Sequence, residues 1–322
     1  MNRRSFIKSS GAAAAAAILV PAVPALAGRS RTGRIGQTRQ TGRTGQTGHG
    51  GRALFTPVRR GTGTFEGRGG TIGWLVSDEA LVLVDTQFPE SAAECWEGIQ
   101  IRSSRRIDFL INSHHHGDHT AGNPVLATHA EFHLAHENVP VLQKAASERS
   151  NNSNPQVYAQ LLFSSEMTQE IGDETIRMKY YGPAHTGGDA ITHFVNADVV
   201  HTGDLVFNRV PAYIDLAGGS DTEKWIGVLE SIYADFTDDT IFIYGHGHPD
   251  HGITGTRDDV LEARDFLTAL REHVLTGIAA GKSEDELLVN TLPGFAGYLN
   301  PDRPTTLHGR IQSVYTELSG SE

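Results

Sequence analysis

The chain has 322 residues, 38% of them hydrophobic and 20% charged, and a formal net charge of −11 at pH 7. Nine of its 27 basic residues and none of its 38 acidic residues lie in residues 1–52, which leaves 18 basic against 38 acidic residues and a formal charge of −20 over residues 53–322. Nucleic-acid binding requires basic side chains that neutralise phosphates, so we expect no nucleic-acid partner for this part of the chain. Its roughly 270 residues suffice for one large domain.

The N-terminus has the form of an export signal. Arg3 and Arg4 precede an apolar run over residues 11–20, and a small-x-small cleavage site ends at Ala27. This order is typical of a twin-arginine signal, and it predicts a periplasmic or secreted protein with the twin-arginine export machinery as a partner. The apolar run is shorter than the roughly 20 residues of a membrane span, so we expect no stable membrane anchor once residues 1–27 are removed.

Residues 28–52 consist of Thr-Gly-Arg and Thr-Gly-Gln repeats with almost no apolar side chain. Such a segment cannot bury enough surface to offset the entropy of ordering. We therefore expect a disordered tether over residues 28–52, followed by a folded domain over residues 53–322 whose part from 257 to 322 is helical. The arginines of the tether either contact an anionic surface or only keep it solvated.

Short strands alternate with helices along the rest of the chain, first in one half and then again in the second. Apolar patterns predict strands at 71–75, 81–85, 107–112 and 130–134 with helices near 89–101, 123–129 and 137–147, then strands at 174–180, 190–195, 199–201 and 240–244 with helices at 221–234 and 257–279. This alternation is typical of an α/β fold.

The segment from Ser113 to His119 contains four imidazoles and one carboxylate. A packed core avoids such groups, because burying a polar group without a partner costs roughly 2–7 kcal/mol. A divalent metal explains the cluster, since imidazole nitrogen and carboxylate oxygen are ligands of zinc. Further polar residues (Asp85, His185, Asp204 and His246) each follow a predicted strand, where α/β sheets place their ligand sites.

These residues belong to four short motifs in a fixed order, preceded by Asp85. The motifs are His114-His115-His116-Gly117-Asp118-His119, Gly182-Pro183-Ala184-His185-Thr186-Gly187-Gly188-Asp189, His201-Thr202-Gly203-Asp204-Leu205 and Tyr244-Gly245-His246-Gly247-His248-Pro249. Their order and spacing resemble the metallo-β-lactamase fold superfamily, whose hydrolytic members include glyoxalase II and the lactamases. The resemblance implies an α/β fold of four layers, an αββα sandwich.

The resemblance also implies a ligand set for two metal ions. It assigns His114, His116 and His185 to the first metal, Asp118, His119 and His246 to the second, and Asp204 to a bridge between them. A set of histidines and carboxylates without thiolate favours two zinc ions per chain, with iron or manganese possible. Asp85 is expected to orient the ligand loop by hydrogen bonds.

We therefore expect an exported binuclear zinc hydrolase that acts on a small molecule. A metal-bridging hydroxide, oriented by Asp118 as the catalytic residue, would attack the carbonyl of an ester, thioester, lactone or lactam. His248 competes with His246 for the fourth motif, and the glycines on both sides favour His246. His115 and His201 are expected to have structural roles, as are the histidines at 129, 133 and 136.

Two other functions stay open at the level of sequence. A mononuclear iron sulfur dioxygenase of the same fold would need only His114, His185 and Asp204, and a non-catalytic zinc-binding adaptor would use the fold as a scaffold. The arginines of the last predicted helix, Arg257, Arg264 and Arg271, are expected to be solvated. Residues 211–220 predict either a loop that forms an apolar pocket with Trp74 and residues 292–298 or a simple turn.

Overall fold

Two β-sheets, one from each half of the domain, form the centre of the fold in the computed structural model, which describes residues 55–320. The predicted signal at 1–27 and the predicted tether at 28–52 lie outside the described residues. Within residues 55–320, no helix is both long and apolar enough to cross a membrane.

The first sheet has seven strands, each hydrogen-bonded to the next one along the chain. They are β1 (Phe55–Pro57), β2 (Thr62–Phe65), β3 (Ile72–Val76), β4 (Leu81–Val84), β5 (Ile107–Asn112), β6 (Ala130–His136) and β7 (Leu161–Phe163). Strands β1 to β4 are antiparallel and strands β4 to β7 are parallel. The parallel strands therefore end at the same edge of the sheet.

The second sheet has six strands in the order β15-β13-β11-β10-β9-β8, and a separate parallel pair is formed by β12 and β14. The strands are β8 (Glu166–Ile171), β9 (Glu174–Tyr180), β10 (Ala190–Phe194), β11 (Val199–His201), β12 (Phe207–Asn208), β13 (Ile241–Ile243), β14 (His246–Gly247) and β15 (Thr254–Gly255). Strands β11 and β13 are parallel, so the polar residues that follow them also lie at one edge.

Seven α-helices complete the described part of the chain. They are α1 (Pro89–Arg102), α2 (Gly117–Thr120), α3 (Asn123–Leu126), α4 (Asn138–Arg149), α5 (Thr222–Asp235), α6 (Arg257–Ala279) and α7 (Thr306–Ser319). The long helix α6 begins with a capping box in which Thr256 and Asp259 satisfy each other's backbone N–H groups, as its sequence favours. Asp221 caps α5 by accepting a hydrogen bond from the backbone N–H of Lys224.

Strand β4 shows how the layers are built, since all four of its side chains are buried. Leu81 and Leu83 pack with Ile99 of α1 on the outer face of the first sheet, whereas Val82 and Val84 pack with Met178 of the second sheet. The outer face of the second sheet packs against α5, α6 and α7. Burying each such side chain stabilises the fold by about 1.5–3 kcal/mol. The predicted four-layer αββα sandwich is confirmed.

All the predicted strands and helices are present, with ends shifted by a few residues. The sequence did not predict β1, β2, β7, β8, β12, β14, β15 and the short helix α2 as elements, and α7 lies in the part from 257 to 322 that was expected to be helical. The apolar pocket predicted around Trp74 and residues 292–298 is wrong. Trp74 points to the outer face of the first sheet, 6.4 Å from the ring of Phe55, and Leu292 and Tyr298 are buried in the core beside α6.

Candidate metal centre

All seven predicted metal ligands lie together where the two sheets end. Strands β4 and β5 are parallel neighbours, and they are followed by Asp85 and by the loop that begins at His114. Strands β11 and β13 are parallel neighbours in the other sheet, and they are followed by Asp204 and His246. The remaining ligand candidate, His185, lies between β9 and β10. The strand ends of both halves thus supply the site, as expected for α/β sheets.

The first group comprises His114, His116 and His185 together with Asp204, whose ligand atoms all lie within 4.8 Å of one another. Nδ1 of His116 lies 3.1 Å from Nε2 of His114 and 2.9 Å from Nε2 of His185. Oδ2 of Asp204 lies 3.6 Å from Nε2 of His185. Three ring nitrogens and one carboxylate therefore face a common point.

The second group comprises Asp118, His119 and His246. Oδ2 of Asp118 lies 3.0 Å from Nε2 of His246 and 3.7 Å from Nε2 of His119. Asp204 also reaches this group, because its Oδ1 lies 3.1 Å from Nε2 of His119 and its Oδ2 lies 3.4 Å from Nε2 of His246. The Asp204 carboxylate therefore lies between the two groups.

Asp85 fixes the orientation of two ligand candidates at once. It accepts hydrogen bonds from the backbone N–H of Ser113 at 2.8 Å and from the Ser113 hydroxyl at 2.7 Å, and its Oδ2 lies 2.8 Å from Nδ1 of His119. The same hydroxyl lies 3.0 Å from Nδ1 of His114. The rings of His114 and His119 are therefore each fixed through Nδ1, and each ring directs its Nε2 towards the other ligand candidates. Asp85 has a φ of +68°, an uncommon conformation for a residue other than glycine.

Two further contacts orient the other rings of the first group. Nε2 of His116 lies 2.9 Å from Oδ2 of Asp215, and Nδ1 of His185 donates to the backbone oxygen of Tyr213 at 2.8 Å. Such contacts fix which ring nitrogen is free for a metal. Asp215 was not predicted from the sequence as a partner of the ligand candidates, and its Oδ2 also lies 3.4 Å from Nε2 of His115. It lies in a glycine-containing loop outside every motif, and no pattern in the sequence marks it.

Glycines allow the backbone to approach the ligand candidates closely. A Cβ on Gly70 would lie 2.1 Å from Cε1 of His119, and a Cβ on Gly245 would lie 1.9 Å from Oδ1 of Asp204. Gly203 has a φ of +53°, and a Cβ there would lie 2.5 Å from the Ser113 hydroxyl oxygen. The glycines of the third and fourth motifs are therefore part of the site.

The electrostatics of the two groups suit cations. Burial and the neighbouring imidazoles hold the pKa of His114 well below its usual value and lower the pKa of His185 to about 3, so both rings are neutral ligands. Burial opposes protonation of His246, but Asp204 and Asp118 raise its pKa to about 9. Burial likewise opposes ionisation of Asp204, yet His246 and His119 hold the pKa of that carboxyl well below its usual range.

Unsatisfied polar atoms support the same interpretation. Nε2 of His119 and Oδ1 of Asp204 are buried, and neither has a hydrogen bond of good geometry within the described residues. Buried polar atoms without partners are rare and mark ions or functional sites. The first group supplies neutral imidazoles, and the second group combines two imidazoles with a carboxylate and shares the anionic Asp204. This donor set fits two divalent metal ions.

His115 lies 3.4 Å from Asp215, and neither of its ring nitrogens has a hydrogen bond of good geometry within the described residues. The other histidines that were expected not to bind metal have partners elsewhere, as predicted. His201 is buried and its Nε2 hydrogen-bonds to the backbone oxygen of Thr71 at 3.1 Å. His129 stacks on Trp96. His248 lies outside both ligand groups, and its Nδ1 accepts from the backbone N–H of Asp250. The other two predicted structural histidines bond to Asn112 and to the backbone oxygen of Ser164.

A cavity of about 580 Å³ opens above the second group. Asp118 and His246 line it, each with 30% of the side chain exposed, whereas Asp204 is only 4% exposed at its base. Its other walls come from the segment after β12, from the loop before α7 and from α7 itself. They are formed by Phe207, Val210, Pro211, Tyr213, Asn300, Arg303, Thr306 and Arg310. The loop predicted at 211–220 therefore does lie beside a cavity.

Comparison with known families agrees with this geometry. A family model described as the metallo-beta-lactamase superfamily matches residues 66–248, more than half of the chain. A model of the twin-arginine translocation pathway signal sequence matches residues 1–20, so the predicted export by that pathway to the periplasm or beyond is confirmed. No curated protein sequence matches the chain significantly.

Several solved structures share the fold. The stereoselective inverting sec-alkylsulfatase Pisa1 from Pseudomonas sp. matches with a TM-score of 0.68 and 17% identity, and a double mutant of this enzyme matches with a TM-score of 0.69. These matches cover 84% of this chain but 51% of the alkylsulfatase, so the chain spans about half its length. A metallo-beta-lactamase from Pontibacter korlensis matches with a TM-score of 0.56 and 15% identity, over 66% of this chain and 98% of that one.

Proposed function

Since the chain belongs to the metallo-β-lactamase superfamily, we propose that it is an exported binuclear zinc hydrolase that cleaves an ester, thioester, lactone or lactam of a small molecule. His114, His116 and His185 would hold one zinc ion, and Asp118, His119 and His246 the other. Iron or manganese would be accepted by the same donor set. The catalytic domain would comprise residues 53–322.

The position of Asp204 is the observation that carries this proposal. Its carboxylate lies within 3.9 Å of ring nitrogens from both groups. Two cations about 3.5–4 Å apart need an anionic group between them to offset their repulsion. In a mononuclear site, the second group of potential ligands (Asp118, His119 and His246) would have no metal to bind. This favours a binuclear hydrolase over the mononuclear dioxygenase.

When bound, the two zinc ions supply a hydroxide near neutral pH and a Lewis acid for the carbonyl oxygen. The residues of the chain then orient the reaction. Asp118 lies at the floor of the cavity with part of its carboxylate exposed, where it can orient the attacking hydroxide by accepting a hydrogen bond from it. The buried rings of His114 and His185 exclude bulk water from the other side.

The walls of the cavity suit an organic substrate of modest size. Phe207 stacks on His246 with ring centroids 5.5 Å apart, and Val210 and Pro211 extend the apolar wall. Phe207 has no hydroxyl group, so this side chain does not assist the substrate carbonyl by a hydrogen bond. Tyr213 is a half-exposed aromatic residue of the cavity wall, and the centre of its ring lies 5.6 Å from the centre of the His116 ring.

The test is metal quantification on purified mature protein, followed by assays with 4-nitrophenyl esters, a thioester, a lactone, a β-lactam and an alkyl sulfate. We expect two zinc ions per chain and hydrolysis of at least one acyl substrate that is lost in His116→Ala. One bound iron with oxygen consumption would establish the dioxygenase instead. Full zinc occupancy without hydrolysis of any acyl substrate would favour the adaptor, and cleavage of the alkyl sulfate alone would replace the acyl substrate class.

A further inference from the structure

Helix α7 brings two arginines to the cavity that contains the proposed zinc ligands. Arg310 lies in the second turn of the helix and Arg303 in the loop before it, and both line the same cavity as Asp118 and His246. Neither arginine belongs to a motif of the superfamily described above. Neither has an assigned role in the proposed reaction.

The side chain of Arg310 is held in place without a carboxylate. Its Nε donates to the backbone oxygen of Pro211 at 3.4 Å, and its Cζ lies 5.1 Å from the centre of the Tyr213 ring. Within residues 55–320, no carboxylate oxygen lies within ion-pair distance of the guanidinium of Arg310 or of Arg303. Burial lowers the pKa of Arg310, and only Tyr213 opposes that shift; an arginine side chain nevertheless stays charged in proteins.

The neighbouring arginines are different, which makes the absence informative. Arg257, Arg264 and Arg271 on α6 each pair with a carboxylate, at 2.5, 2.6 and 3.2 Å respectively. The domain has about twice as many acidic as basic residues, so carboxylates are abundant. A half-buried guanidinium without one still loses hydration and gains no ion pair in return. A ligand anion would supply the missing partner.

We propose that Arg310, assisted by Arg303 at the rim, binds an anionic group of the substrate, and that the enzyme therefore prefers substrates that carry a carboxylate or sulfate besides the bond to be cleaved. The guanidinium presents a planar set of donors that matches such oxyanions. This inference rests on the proposed hydrolase for the identity of the reaction, but the anion site itself does not depend on it.

The geometry places the anionic group at a short distance from the reaction centre. The ring of Tyr213 lies 5.6 Å from the ring of His116 on one side and 5.1 Å from Cζ of Arg310 on the other. A substrate that spans Tyr213 can therefore reach the zinc ligands and the guanidinium together. The first residue of α7, Thr306, also lines the cavity, and the positive end of the helix dipole acts in the same direction as the arginines.

The experiment compares two esters with the same leaving group, mono-4-nitrophenyl adipate, which is anionic, and 4-nitrophenyl heptanoate, which is neutral. We expect the ratio of their kcat/KM values to fall at least tenfold in Arg310→Gln, chiefly through KM, and to be partly retained in Arg310→Lys. Arg264→Gln serves as the matched control, because Arg264 lies outside the cavity and pairs with acidic residues; it should change neither value. An equal loss for both esters in Arg310→Gln would overturn the proposal.

Binding of hexanoate and hexyl sulfate, measured by isothermal titration calorimetry on the zinc-loaded protein, separates this proposal from the proposed function. Loss of anion binding in Arg310→Gln supports the anion site even if no ester is cleaved, and the tighter of the two probes identifies the preferred head group. Unchanged binding in Arg310→Gln overturns the site even if both esters are cleaved. If Arg310→Gln fails to fold, Arg310→Met, which keeps the aliphatic part of the side chain, is measured in the same way, and unchanged binding there has the same meaning.

Discussion

Oδ2 of Asp215 lies 2.9 Å from Nε2 of His116, on the side of the imidazole away from His114 and His185. Oδ1 of the same carboxylate accepts a hydrogen bond from the backbone N–H of Gly218 at 2.9 Å. One carboxylate thus connects the loop after β12 to a ring of the first group. A carboxylate in this position fixes the tautomer of the histidine and increases its basicity as a ligand.

Replacement of Asp215 by alanine should weaken the first metal site without removing any ligand. Loss of such a supporting partner typically lowers metal affinity by about 10–100-fold. Competition with a chromogenic zinc chelator would measure the change, and the second zinc ion should be affected less. A wild-type affinity in Asp215→Ala would show that His116 needs no support from this loop.

Substitutions of the ligands should separate the two sites by stoichiometry. His246→Ala removes a ligand of the second group alone, so we expect about one zinc ion per chain to remain. Asp204→Ala removes the group between the two sites and should lower the affinity for both ions. Mass spectrometry of bound metal checks both variants, with His129→Ala as control because His129 stacks on Trp96 away from the site. Two tightly bound ions in Asp204→Ala would contradict the bridging role.

Gly70→Ala should impair the second site by steric displacement alone. The added methyl group would lie 2.1 Å from Cε1 of His119, and real carbon atoms cannot approach so closely, so the ring must move away from Asp204. We expect weaker binding of the second zinc ion and a corresponding loss of activity. The control is Gly227→Ala in α5, where a Cβ meets no atom within 4 Å and alanine favours the helix by about 0.5–1 kcal/mol.

The free energy of unfolding should depend on pH partly through the buried ring of His133. Burial lowers its pKa to about 4 in the folded protein, against about 6.5 in the unfolded chain. Below pH 6.5 the unfolded state therefore binds a proton that the folded state does not, and stability falls until the pH reaches about 4. The full difference corresponds to about 3 kcal/mol.

His133→Gln should remove this part of the acid destabilisation. Urea unfolding of both proteins between pH 4 and pH 7 isolates the contribution, because groups near the metal ligands act equally in the two proteins. At pH 7 the variant should be the less stable protein, because it loses the hydrogen bond to Asn112, and its deficit in unfolding free energy should shrink as the pH falls towards 4. Parallel curves would mean that His133 titrates in the folded protein as it does in the unfolded chain.

The alternation of strands and helices was predictable because it depends on local patterns of apolar residues, which can be read directly from the sequence. Strand β4, with its run of buried residues Leu81–Val84, is such a case. The positions of the ligand candidates followed from the same patterns, since each lies after a strand. Strand β1 was missed because Phe55–Pro57 is short and ends in proline.

The residues around the ligands were much harder to infer. The contact of Asp215 with His116 joins positions 99 residues apart, and the path of the loop after β12 that contains Asp215 is not encoded in any local pattern. The arginines show the same limit. Arg257, Arg264 and Arg271 were noticeable in the sequence because of their helical spacing, but none of them lines the cavity. Arg310 lines the cavity because of tertiary packing, which no local pattern predicts.

The ligand candidates come from both halves of the sandwich, with His114 to His119 following the first sheet and His185, Asp204 and His246 belonging to the second. A pair of cations held there would cross-link the halves as a disulfide does in other secreted proteins, a bond that this chain cannot form within itself because its only cysteine is Cys95 of α1. Metal loading would then make opening of either half depend on the other. The twin-arginine route carries proteins that are already folded. The ions would therefore be acquired before transport, and they would stabilise the folded domain during transport.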